Sequence, residues 1–195
     1  SAKSASIPLF AFDTAFETNA DAITSTVKTS NREVGKVAAE NLIALLNGKG
    51  KYAVIAHSQT DATSTERRDG FLDYMKKNAP DMEMVGEVQY SNADQAKAQD
   101  IASAILQANP DLDAIFATNE ATVVGAATPV ESALKSGHKV LLVGVDSGKA
   151  QQQYIRDGVI SGSVSQNPYQ IGYKTIENAV KSLNGEKIDK VIDSG

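Results

Sequence analysis

The sequence predicts an α/β chain built on a doubly wound parallel sheet. Strand-like apolar runs alternate with amphipathic helical segments almost from end to end. The runs are apolar at consecutive positions, as strands covered on both faces are. No repeat, low-complexity tract or Pro/Ser linker interrupts the alternation, so a division into lobes must use ordered crossings of the chain.

In order, the expected strands are LFAFD (9–13), YAVIAH (52–57), EMVGEVQY (83–90), AIFATN (114–119), VLLVGVD (140–146) and ISGSVS (160–165). Helices are expected near 31–47, 65–78, 94–108, 120–136, 147–157 and 169–184. The first strand, within IPLFAFD, reads as interior although only six residues precede it. Its neighbours on one side are expected from elsewhere in the chain, from another chain, or from a missing piece. In the first helix Val34, Val37, Ala38, Leu42 and Leu45 recur at helical spacing, with Ser30 or Asn31 to cap it and Gly48 to end it. In the third, Asp94 can cap a stripe of Ala98, Ile101, Ala102 and Ile105, and NPDLD turns into the next buried strand.

Composition excludes several classes. The 195 residues carry a net charge of -5 and no Lys/Arg-rich run, so nucleic acid and anionic membranes are not expected partners. No segment is apolar over the roughly 20 residues that span a bilayer, and SAKSAS lacks the cationic, apolar and cleavage regions of a signal peptide, as a mature or trimmed product would. The absence of cysteine removes disulfides, thiolate catalysis and thiolate metal sites.

Ligands of open parallel sheets gather at the carboxyl ends of the strands. The polar residues there are Asp13, the HSQTDATSTERR segment containing Arg67, Asn119, Asp146 and Gln166. Each has a structural alternative: the aspartates can cap helices, Asn119 can satisfy a turn, and Arg67 can pair with Glu66 or Asp69 on a solvated face. Together, two carboxylates, two amides and a guanidinium match the vicinal hydroxyls of a sugar, the acids accepting and the arginine donating. Enzyme signatures are weak. GxGxxG, GxxxxGK[ST] and GxSxG are absent, and His57 and His138 form no metal-ligand spacing. Asp13 and Asp146 could imitate a glycosidase pair, but Arg67 would keep both ionised and disfavour a general acid.

The segments IPLFAFD, TSNREVGKVAAENL, TSTERRDGF, NPDLDAIFATNE, KVLLVGVD and IRDGVISGSVSQNPYQIGY carry a family resemblance over essentially the whole chain. The chain resembles the ribose-type periplasmic sugar-binding proteins, type 1 periplasmic binding proteins that share a LacI-like fold. The resemblance implies an acidic sugar contact at Asp13 and a second polar contact at Thr14. It further implies the sugar-binding arginine at Arg67, and an amide, an acid and a glutamine at Asn119, Asp146 and Gln166. Ala93 stands where the family stacks an aromatic residue, and Val145 replaces an aromatic before Asp146, so a different or bulkier ligand is expected.

The resemblance also implies a chain lacking the family's opening strand-helix-strand units. Residues 1–29 are then a partial N-terminal lobe, 30–166 the C-terminal ligand-binding lobe, and 167–195 the return segment. The implied function is the solute-binding component of an ABC transporter, closing by a hinge on a monosaccharide or related polyol and presenting it to a permease. The alternative is the effector-binding domain of a LacI-type regulator or sugar sensor. No enzyme activity and no cofactor are expected. A periplasmic or extracellular location is implied, with lipid anchoring through an upstream segment as an option. So are self-association through the incomplete lobe and little or no sugar affinity for the fragment alone.

Overall fold

The computed structural model describes residues 2, 4–14 and 20–195, and the chain divides into two compact units, Ser1–Ser30 with Gln166–Gly195, and Asn31–Ser165. Among the described residues no helix is long and apolar enough to cross a membrane.

The smaller unit holds β1 (Leu9–Phe12), β2 (Ile23–Lys28), α6 (Pro168–Leu183) and β9 (Val191–Asp193). Its three strands are parallel in the order β1-β2-β9, with Phe12 opposite Val27 and Val27 opposite Ile192. Helix α6 packs on β1 and β2 through Ile171 and Thr175. Asn167 caps it, its side chain accepting from Gln170 N at 3.1 Å, and Pro168 opens it where a missing N–H costs nothing. The opposite stripe of Tyr169, Tyr173, Ile176, Val180 and Leu183 is more than half exposed at every position.

Neither β2 nor β9 was expected. ITSTVK reads as polar, yet Ser25 and Thr26 are buried and Ser25 Oγ donates to Asp189 O at 2.8 Å, satisfying the hydroxyl within the unit.

The larger unit holds β3 (Gly50–Ala56), β4 (Met82–Met84), β5 (Gln89–Tyr90), β6 (Ala114–Ala117), β7 (Leu141–Val145) and β8 (Gly162–Val164), all parallel in the order β4-β3-β6-β7-β8. The segment expected as one strand at 83–90 is two short ones. Gly86, at φ +64°, breaks it, so β4 pairs with the start of β3 and β5 with its end.

Helices α1 (Asn31–Leu45) and α2 (Ala62–Asn78) cover one face; α3 (Gln95–Ala108) and α4 (Glu120–Lys135) cover the other, and α5 (Lys149–Arg156) follows β7. Strand alternation sorts the core. Tyr52, Val54, Phe116, Val143 and Val145 meet Val34, Ala38, Leu42, Phe71 and Met75 on the first face. Ala53, Ile55, Ile115, Ala117 and Leu142 meet Ala102, Val123, Ala126 and Val130 on the second. Phe71 stacks on Phe116 with ring centroids 4.3 Å apart.

Two glycines set the α1–α2 contact. A Cβ on Gly35 would lie 2.0 Å from the carbonyl oxygen of Arg67, and one on Gly70 would lie 2.1 Å from that of Arg32. Only the missing side chains let the two backbones approach this closely.

Candidate functional site

The carboxyl ends of β3, β5, β6 and β7 converge polar groups on one edge of the larger unit. Arg67, two turns into α2, is only 3% exposed, so it does not lie on a solvated face. Its guanidinium is held from two sides: Nε donates to Asn31 Oδ1 at 2.8 Å and Nη1 to the carbonyl of Thr118 at 2.8 Å. The exposed pairing considered from sequence belongs instead to Arg68, which bonds Asp69 at 2.6 Å.

Asn119 follows Thr118 and caps α4. Its Oδ1 accepts from Thr122 N at 3.0 Å and from Thr122 Oγ1 at 2.6 Å, which commits that oxygen to the helix cap. Asp146, at φ +81° after β7, accepts from Glu120 N at 2.9 Å through Oδ2. A carboxylate and a capping amide therefore share the N-terminus of α4, beside the strand end that holds Arg67. Ser91, after β5, bonds Thr122 Oγ1 at 2.8 Å and draws the following loop to the same helix end. That loop contains Asn92 and Ala93, both exposed and in the left-handed region. Val145 is elsewhere: its side chain is fully buried in the core with Phe71 and Phe116.

Of the residues expected in the smaller unit, Asp13 follows β1 at φ +65°, exposed, its N–H donating to Val27 O at 2.8 Å, with Thr14 beside it. Gln166 Oε1 accepts from Thr29 Oγ1 at 3.0 Å.

Three residues that the sequence did not single out as sugar contacts hold this edge together. Asn31 and Thr118 receive the arginine. His57, after β3, donates its backbone N–H to Thr118 Oγ1 at 2.9 Å, and its Nδ1 lies 2.7 Å from the same oxygen. Its Nε2 lies 3.1 Å from Thr63 Oγ1, whose proton goes to Asp61 Oδ1, and Asp61 caps α2 by accepting from Ser64 N at 3.1 Å. Burial pushes the His57 pKa down from the ordinary histidine value; the Arg67 cation adds to this, and Asp61 and Asp146 oppose it. Burial also pushes Asp61 upward, but hydrogen bonds from Thr63 and Ser64 and the facing His57 outweigh it and hold that carboxyl low. The available signal was a polar residue closing each apolar strand: His57 after YAVIA and Thr118 after AIFA. Among the described residues no His/Cys/Asp/Glu group is arranged to hold a metal.

The family model described as a periplasmic binding protein domain matches residues 1–187. The chain belongs to this family. Among its periplasmic binding protein relatives, the D-allose-binding periplasmic protein of Escherichia coli is 34% identical over 85% of this chain and 52% of its own length. The ribose import binding protein of Bacillus subtilis is 28% identical over 100% of this chain and 61% of its own. An ABC transporter solute binding protein from Agrobacterium vitis, solved with bound D-fucose, superposes at a TM-score of 0.89 with 32% identity, covering 100% of this chain and 66% of that one. The chain thus spans about half to two thirds of the length of these relatives.

Proposed function

We propose that this protein is a solute-binding component of an ABC transporter that takes up a monosaccharide or related polyol and delivers it to a permease. The observation that carries this reading is the fixed guanidinium of Arg67 beside the Asn119 amide and the Asp146 carboxylate. Such a set donates to and accepts from adjacent sugar hydroxyls while a neutral, uncharged ligand leaves the ion balance intact. The larger unit is the C-terminal ligand-binding lobe in this reading, and the family resemblance alone supports Asp13, Thr14 and Gln166 as polar sugar contacts. The names of the relatives support transport over an effector domain of a regulator, since they are binding proteins for allose, ribose and apiose. They likewise support a binding role without catalysis and a periplasmic or extracellular location.

Self-association is also proposed, supported by the exposed apolar stripe along α6.

Calorimetric titration of the chain with D-allose, D-ribose and D-fucose tests the sugar reading. Weak but saturable binding to at least one, lost in Arg67→Ala, is expected; saturable binding of equal affinity in wild type and Arg67→Ala would overturn it.

A further inference from the structure

We infer that His57 is a positioning residue for Arg67, and that only its neutral ring, protonated on Nε2, closes the brace that holds the guanidinium in place. The inference rests on the reading of Arg67 as a sugar contact.

The tautomer follows from counting protons. Thr63 Oγ1 gives its single proton to Asp61 Oδ1, so toward His57 Nε2 at 3.1 Å it can only accept. Nε2 therefore carries the hydrogen of the neutral ring, and Nδ1 accepts the Thr118 hydroxyl proton at 2.7 Å while Thr118 Oγ1 accepts the His57 backbone N–H. The carbonyl of Thr118 accepts from Arg67, and Thr63 and Arg67 stand one turn apart on α2. The ring therefore links the end of β6 to the first turn of α2, and the guanidinium spans the same two elements one turn further on.

A second proton breaks this arrangement. With Nδ1–H and the backbone N–H both aimed at Thr118 Oγ1, both lone pairs are taken and the hydroxyl proton loses Nδ1 as its acceptor, so the His57–Thr118 link must rearrange. The charged groups facing the ring are Arg67 from α2, Asp61 from its cap and Asp146 from the end of β7. Arg67 repels an imidazolium, while the two carboxylates only partly offset the cost of charging a ring that is 8% exposed.

The test follows the ring nitrogens of His57 and the Arg67 Nε–H by NMR in the full 195-residue chain between about pH 8 and pH 4.5. D-allose titrations accompany it at the same pH values. Expected are an Nε2–H tautomer, a titration midpoint below 6.5, an Arg67 Nε–H signal that moves with that midpoint, and D-allose affinity falling about tenfold across it. His57→Asn, whose Oδ1 can accept from Thr118 but cannot titrate, should abolish the pH step in the Arg67 signal and hold affinity within about threefold of the high-pH wild type. An Nδ1–H tautomer, or an Arg67 signal indifferent to His57 titration, overturns the inference. An Arg67 signal that tracks His57 while D-allose never binds supports the brace and counts against the sugar reading instead.

Discussion

The carbonyl oxygen of Thr118 accepts a hydrogen bond from Arg67 Nη1 at 2.8 Å, so a guanidinium on a helix is fixed by the end of a strand 51 residues away. Because Nε is simultaneously held by Asn31, Arg67→Lys cannot reproduce the fork. Urea unfolding should show a loss of about 1–3 kcal/mol, the cost of leaving buried acceptors unpaired. A lysine variant as stable as wild type would mean that these two contacts contribute nothing.

Asp146 joins a left-handed backbone to a hydrogen bond with Glu120 N. Asp146→Asn keeps both the tolerance for that φ and an acceptor, whereas Asp146→Ala loses the two together. Thermal melts should place the alanine variant about 1–2 kcal/mol below wild type and the asparagine variant between them. The reverse order of the two variants would show that the carboxylate is not acting as an acceptor for α4.

Acid should weaken the fold in two stages of known sign. His57 has a folded pKa below its ordinary value, so the unfolded chain takes up its proton first. Stability is fully present above about pH 6.5 and declines as pH falls from there to the lowered folded value, where the loss levels off. Asp61 is also held low in the fold, so its contribution is present above the ordinary aspartate range and disappears as pH falls through the folded value. Urea midpoints measured across this range should show the upper stage vanish in His57→Asn while the lower one remains.

The α6 stripe makes a prediction about association. Ile176, at its centre, is 66% exposed among aromatic and aliphatic neighbours. Ile176→Lys should shift sedimentation profiles toward the monomer without lowering the melting temperature, since most of that side chain already lies in solvent. Identical concentration-dependent profiles for both proteins would remove α6 as an association surface.

How much of this was legible in the sequence depended on distance along the chain. AIFA and LLVGV announce buried strands because each residue contributes the same apolar signal, and Asp94 announces a helix start because a cap bonds three residues ahead, whereas Asn119, read as satisfying a turn, proves to cap α4 in the same way. ITSTVK hides its strand because Ser25 is satisfied by Asp189, 164 residues later. Arg67 was legible as a candidate ligand, yet its burial was not, since its partners stand 36 and 51 residues away. His57 was legible only as the polar end of YAVIAH for the same reason: its partner Thr118 stands 61 residues away.

Gly35 contains no group that could touch a ligand, yet it sits with its α-hydrogen face against the carbonyl of Arg67. A methyl there would need the space that oxygen occupies, and α2 would have to slide or tilt to supply it. Gly35→Ala should therefore cost about 3 kcal/mol or more in urea unfolding. Gly172→Ala, on an exposed turn of α6 with open space around it, should gain about 0.5–1 kcal/mol. Two absent side chains thus act as a spacer of zero thickness: the helix that carries the arginine is located by what its neighbour lacks, and the recognition chemistry of the edge inherits its tolerance from a place that no solute reaches.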